Sequence, residues 1–240
     1  MASGRIRLIT FDLDNTLWPV QEVIQKADGA MRTWLDERLP GFSAQFSGDA
    51  FMLLRKRIVA ERPDLQHDLS SMRIEVLCRA ITAFGQPTRA ARSLAERAFE
   101  VFIDHRHKVR YFDGVEEVLA ELATRYTLGA LTNGNADFSR LEINRHISFG
   151  FSSASVGASK PHPDMFHAAL RHADVRPEQA VHVGDHPHDD IHGAAAVGMR
   201  TILVQLVNLP APAIEVATQA PDVQISTLSE LRSAIASLDP

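Results

Sequence analysis

A chain of 240 residues, 45% hydrophobic and 23% charged, can bury a sizeable core as one or two domains, which excludes the disordered and fibrous classes. Its formal charge of -5 comes from 30 acidic and 25 basic residues with no basic run, so neither nucleic acid nor an anionic membrane surface is expected as a partner. No segment reaches the roughly 20 apolar residues of a membrane-spanning helix. The N-terminus lacks a signal-cleavage pattern and the single Cys78 has no disulfide partner within the chain, so a reducing, cytoplasmic setting is expected.

The first predicted element is the run Ile6 to Phe11, short, β-branched and apolar, which stops at Asp12 as a buried parallel strand does when it feeds a polar loop. From Val23 the pattern changes. Val23, Ile24, Ala27, Ala30, Met31, Trp34 and Leu35 recur at three- and four-residue steps, the spacing of an amphipathic helix. Further helices are predicted at Phe51 to Val59, around Met72, Val76, Leu77, Ala80 and Phe84, and around Leu94, Ala95, Ala98, Phe99 and Phe102. Pro40-Gly41, Arg62-Pro63 and Gly85-Gln86-Pro87 separate them.

After Gly114 strand and helix alternate. A helix at Val115 to Ala123 precedes a strand at Tyr126 to Leu131, which ends in Thr132-Asn133-Gly134-Asn135. Val181 to Gly184 is a strand before a polar loop, Gly193 to Val197 a small-residue helix, Thr201 to Val204 another strand, and Pro210 to Pro221 an irregular connection. Repeated strand and helix units imply a parallel sheet with right-handed crossovers. The expected architecture is α/β: a discontinuous Rossmann-like parallel-sheet core, residues 1-19 and 108-240, interrupted by an all-α insert, residues 20-107.

Three strand ends deliver polar residues: Asp12-Leu13-Asp14-Asn15-Thr16, Thr132-Asn133, and Gly184-Asp185 followed by Asp189-Asp190. With Ser159-Lys160-Pro161 they could converge at one sheet edge, where open α/β sheets place their ligands. Carboxylates gathered in one cleft repel each other and are costly to desolvate unless a divalent cation and a lysine compensate, which points to magnesium and Lys160.

These segments, in this order, resemble the four motifs of the haloacid dehalogenase superfamily, and the resemblance spans almost the whole chain. The helical insert looks like that superfamily's cap domain. The resemblance implies a phosphatase in which Asp12 attacks phosphorus and Asp14 protonates the leaving group and then activates water. Mg2+ is implied on the Asp12 and Asp185 carboxylates and the Asp14 carbonyl, with Asp190 and Asp189 behind its waters. Thr132, the Asn133 amide and Lys160 are implied to bind the phosphoryl group of a small phosphorylated metabolite. Dehalogenases of the superfamily lack an acid at the position matching Asp14, which favours phosphorus over carbon as the centre attacked.

Other readings compete. His186, His188 and His192 could suggest a transition-metal site, but hard oxygen ligands suit magnesium and loop histidines are the simpler account. Trp18 could gate the site or simply pack in the core. A narrower resemblance, to bacterial phosphatases acting on flavin mononucleotide and on the phosphorylated ribitylaminouracil intermediate of riboflavin synthesis, implies that His67, Asp68 and Arg73 contact the non-phosphate part of the substrate. A phosphotransferase such as a sugar phosphomutase, or a non-catalytic binding protein on the same scaffold, remains the alternative.

Overall fold

The computed structural model describes residues 5-46, 48-206 and 219-239. Contacts divide the chain into two compact units, one formed by Met1–Val20 with Val109–Pro240 and the other by Gln21–Lys108.

In chain order, β1 (Leu8–Phe11) is buried at every position, as a central parallel strand covered on both faces must be. Helix α1 (Val20–Asp36) buries Val23, Ala27, Met31 and Leu35, a stripe at four-residue steps. The short α2 (Phe42–Gln45) and α3 (Gly48–Glu61) precede a 3-10 turn at Pro63–His67, then α4 (Leu69–Ala83) and α5 (Thr88–Arg106). Helices α4 and α5 pack along each other, with Ala91, Ala95 and Ala98 of α5 supplying small residues on its buried face. Leu35, Phe42, Leu77, Ile81 and Phe102 complete the core of this unit.

The sheet unit resumes with α6 (Val115–Leu122), β2 (Thr127–Thr132), β3 (Phe149–Ser152), α7 (Ser153–Val156), α8 (Asp164–Ala173) and β4 (Ala180–Gly184). A π-helical turn, Pro187–His192, runs into α9 (Gly193–Ala196), followed by β5 (Arg200–Val204), β6 (Val223–Ile225) and α10 (Leu231–Leu238). The strands form one six-stranded sheet of order β3-β2-β1-β4-β5-β6, every neighbouring pair parallel. The chain leaves β1 toward β2 on one side and reaches β4 on the other, so the topological switch lies beside the C-terminal end of β1. That places Asp12 at the crevice such sheets open for ligands.

The structure adds α2, β3, α7, α8, β6 and α10 to the elements read from sequence. The stripe Met165, Phe166, Ala169 and Leu170 on α8 has helical spacing and packs against Leu8 and Phe149. The stretch expected as a polar loop after β4 is π-helical: the Ile191 amide reaches the His186 carbonyl at 3.3 Å, five residues back. Residues 210-218 of the expected irregular connection lie outside the described residues. No described helix is long and apolar enough to cross a membrane.

Candidate active site

Asp12 follows the last residue of β1, and its amide donates to the Val183 carbonyl at 2.9 Å, which carries the ladder with β4 one step beyond the strand. The chain then turns sharply. Asn15 adopts φ 61, a left-handed conformation that asparagine tolerates better than most residues. The Asn15 amide donates to the Trp18 carbonyl at 2.7 Å and its side-chain oxygen accepts from the Val20 amide at 3.2 Å. Folded back this way, Thr16 donates toward Asp185 Oδ1 at 3.2 Å and Asp12 Oδ2 at 3.4 Å. One threonine hydroxyl thus spans the ends of β1 and β4.

Lys160 is the other organising group. Its buried ammonium donates to Asp12 Oδ1 at 2.8 Å, Asp190 Oδ1 at 2.6 Å and the Leu131 carbonyl at 2.7 Å, which matches its three N–H donors. Asn133 braces it, accepting from the Lys160 amide at 2.8 Å through Oδ1 and donating to the Lys160 carbonyl at 3.0 Å through Nδ2. Thr132 is buried and its hydroxyl oxygen accepts from the Gly134 amide at 2.8 Å, leaving the hydroxyl hydrogen for another acceptor.

Asp190, and not Asp189, joins the centre. Carboxylate oxygens of Asp12, Asp185 and Asp190 lie within 4.8 Å of one another. Asp190 is 1% exposed and accepts from three protein donors, Lys160 and His182 on Oδ1 and the His186 amide at 3.0 Å on Oδ2. Asp189 stands further out, accepting from Asn133 Nδ2 at 3.2 Å. Gly184 is required here because any Cβ on it would collide with the Asp190 side chain.

Two participants were not assigned roles from sequence, Thr16 and His182. His182 sits in the middle of β4, fully buried, with Nε2 3.1 Å from Asp190 Oδ1 and Nδ1 2.8 Å from the Thr10 hydroxyl. With Nε2–H donating to the carboxylate, Nδ1 accepts the threonine hydroxyl, which fixes the tautomer. The available signal was a lone histidine inside an apolar strand two residues before Gly184.

The electrostatics follow from burial. Desolvation pushes Asp12 well above the usual carboxylate range, Lys160 pulls it back, and Asp190 and Asp185 add to the rise. Desolvation and the neighbouring Asp190 push Asp185 up to about 7. Burial opposes ionisation of Asp190 too, but Lys160 and His182 outweigh it and hold that carboxyl below its ordinary value. For Lys160, Asp12 and Asp190 override desolvation and keep the ammonium charged, whereas burial depresses His182 toward the neutral ring. Three carboxylates facing one ammonium therefore leave uncompensated negative charge around Asp12 and Asp185. A hard divalent cation with a preference for oxygen ligands, such as magnesium, fits that donor set.

The remaining expected residues have other partners. Trp18 is fully buried, and its indole N–H donates to Asp14 Oδ1 at 2.9 Å. In the helical unit, Asp68 caps α4 by accepting from the Ser71 amide at 3.0 Å. Arg73 pairs with Asp28 at 2.6 Å and lies over the Phe102 ring at 3.7 Å, and the Gln66 amide donates to His67 at 2.7 Å. His188 and His192 stack at 5.4 Å, and among the described residues neither belongs to a cluster of three metal-binding side chains.

Comparison with known proteins agrees with this geometry. The sequence profile of haloacid dehalogenase-like hydrolases matches residues 6-198. The chain is 28% identical over 232 residues to the Escherichia coli protein 5-amino-6-(5-phospho-D-ribitylamino)uracil phosphatase YigB, covering 97% of both chains. Among solved structures, one described as a 2-haloacid dehalogenase from Pseudomonas syringae pv. Tomato DC3000 superposes with TM-score 0.89 at 40% identity, covering 97% of this chain and 99% of that one. A HAD phosphatase from Thermococcus onnurineus shares the fold with TM-score 0.65 at 20% identity, over 96% and 98% of the two chains.

Proposed function

The chain belongs to the haloacid dehalogenase-like hydrolase family, and from that premise we propose that this enzyme, a phosphatase, hydrolyses small phosphomonoesters through a phosphorylated Asp12. The observation that carries the reading is the position of Asp12: it stands at the switch point of the sheet, is held by Lys160 at 2.8 Å, and has a second carboxylate, Asp14, two residues on. A carboxylate needs no base to become a nucleophile. In the first half-reaction an Asp12 oxygen bonds to phosphorus, the ester P–O bond breaks, and Asp14 gives its proton to the departing alkoxide. In the second, water attacks the aspartyl phosphate, Asp14 takes a proton from it, and the Asp12 carboxylate is released with inorganic phosphate.

Thr132 and the Asn133 amide stand at the end of β2, where phosphoryl oxygens can be hydrogen-bonded, and Lys160 neutralises charge on Asp12. Asp12, Asp185 and the Asp14 carbonyl would hold Mg2+, with Asp190 and Asp189 orienting its waters. A magnesium ion supplies charge neutralisation of the phosphoryl oxygens.

For the substrate, the E. coli relative, named for 5-amino-6-(5-phospho-D-ribitylamino)uracil and matched over 97% of both chains, supports that phosphate or one like it, and flavin mononucleotide is carried from the narrower sequence resemblance alone. The test is a phosphate-release screen over metabolites with magnesium and with chelator. Release from no ester, or activity that survives Asp12→Asn, overturns the proposal.

A dehalogenase is the second reading, favoured by the 40% identical structure described under that name. Asp14 weighs against it, since attack on carbon followed by loss of halide needs no acid for the leaving group. Halide release from 2-chloropropionate without phosphate release from any ester would put it first.

A further inference from the structure

Asp190 rides on the π-helical turn after β4, yet Lys160 takes one of its acceptors from it, Oδ1 at 2.6 Å. A lysine cannot be the reference for the carboxylate that aims it, so the direction of Asp190 must come from other donors. The His186 amide holds Oδ2 at 3.0 Å, and the ring Nε2 of His182 stands 3.1 Å from Oδ1. A carboxylate held at one oxygen can pivot about it. A second donor, on the other oxygen, fixes its plane.

The amide belongs to the start of the turn itself, whereas His182 belongs to the sheet. It is paired with Thr10 of β1 on one side and Thr201 of β5 on the other. The ring is fully buried, meets Phe166 edge-on with centroids 5.2 Å apart, and has the Thr10 hydroxyl 2.8 Å from Nδ1. That hydroxyl also lies 3.4 Å from the Val181 carbonyl, so it can donate to Nδ1 of a neutral ring, or turn to the carbonyl and accept from a charged one. Nε2 carries a hydrogen toward Asp190 in both cases. The remaining tautomer would set a bare Nε2 against a carboxylate that, despite burial, the adjacent ammonium keeps ionised.

We propose that His182 is a positioning residue: by donating from Nε2 to Asp190 Oδ1 it ties this carboxylate to the sheet, and through it holds the Lys160 ammonium on Asp12. The inference rests on the phosphatase reading for its effect on rate, and adds to that reading what aims the lysine. Lys160 meets Asp12 at 2.8 Å, and displacing a group by about 1 Å at a reacting centre can cost on the order of a hundredfold.

His182→Gln sets an amide N–H donor near the place of Nε2, and His182→Met has the same length and nearly the same volume without the donor. The readouts are kcat and KM for the ester the wild type turns over best, taken well below the melting temperatures of both variants. The expected kcat loss is about tenfold or more for methionine and below about threefold for glutamine, with KM within about threefold of wild type in both. A role confined to filling the core would favour methionine or neither, so equal kcat values, or methionine above glutamine, overturn the proposal.

Heteronuclear NMR of the His182 ring in the wild-type protein is a second readout, independent of activity and of whether the variants fold. It should show a proton on Nε2, and a bare Nε2 overturns the assignment. Wild-type protein that releases no phosphate from any ester is a different outcome: it removes the phosphatase reading, while the Nε2 proton still tests the contact to Asp190.

Discussion

Lys160 directs its three N–H groups at Asp12, Asp190 and the Leu131 carbonyl, so its removal leaves two buried carboxylates facing each other. Lys160→Ala is expected to cost about 3–5 kcal/mol of stability in chelator, with magnesium restoring part of it, as thermal melts with and without the ion would show. The titration of the cluster has a definite sign. The folded pKa of Asp185 lies at about 7 and that of Asp12 is also raised, so both groups favour the folded metal-free protein at low pH and that stability is lost as pH rises through the folded values. His182, depressed below 6.5, acts in the opposite sense and offsets one of the two below that pH. Melting temperature in chelator should fall between about pH 4 and about pH 7, the window between the ordinary and the folded values of Asp185, and magnesium should flatten or reverse the trend because it binds the ionised carboxylates. A melting temperature that climbs across that window without metal would contradict this account.

At the level of elements, the site depends on two short, irregular pieces of backbone. The turn after β1 needs a residue at position 15 that tolerates a left-handed conformation, and the π-helical turn after β4 delivers Asp190 inward while leaving Asp189 half-exposed. Gly184 is the pivot of the second piece. Gly184→Ala should displace Asp190, lowering stability by about 1–3 kcal/mol and activity by more than a shift of fold stability explains, which kcat measured well below the melting temperature would separate. In the helical unit Asp68 terminates α4, so Asp68→Ala should cost about 1 kcal/mol, and Asp68→Asn should recover most of it in denaturant titrations. An unchanged midpoint for Asp68→Ala would contradict this account of the cap.

For the molecule as a whole, the alternation of strand and helix after Gly114, the apolar run into Asp12 and the three- and four-residue stripes of the helical insert were legible in the sequence. Each is a periodic signal that burial alone imposes. The strand β6 and the helix α10 escaped notice because a three-residue strand and a two-turn helix hold too few periods to stand out. The partners of Arg73 were not legible: the fold sets it against Asp28 and Phe102, far from it in sequence and within its own unit.

The sequence by itself determined the chemistry on offer at Asp12, Asp14 and Asp185, because their types and their places after strands are local properties, and at Lys160, because several carboxylates in one cleft call for a cation. Only the tertiary structure decided that Asp190 and not its neighbour completes the cluster, that His182 and Thr16 belong to it, and that Trp18 addresses Asp14. The placing of Asp190, His182 and Thr16 turns on the register of β1 with β4 and on a π-helical turn, which bring together residues 8 to 169 positions apart that no local pattern relates, whereas Trp18 meets Asp14 through the turn that both occupy.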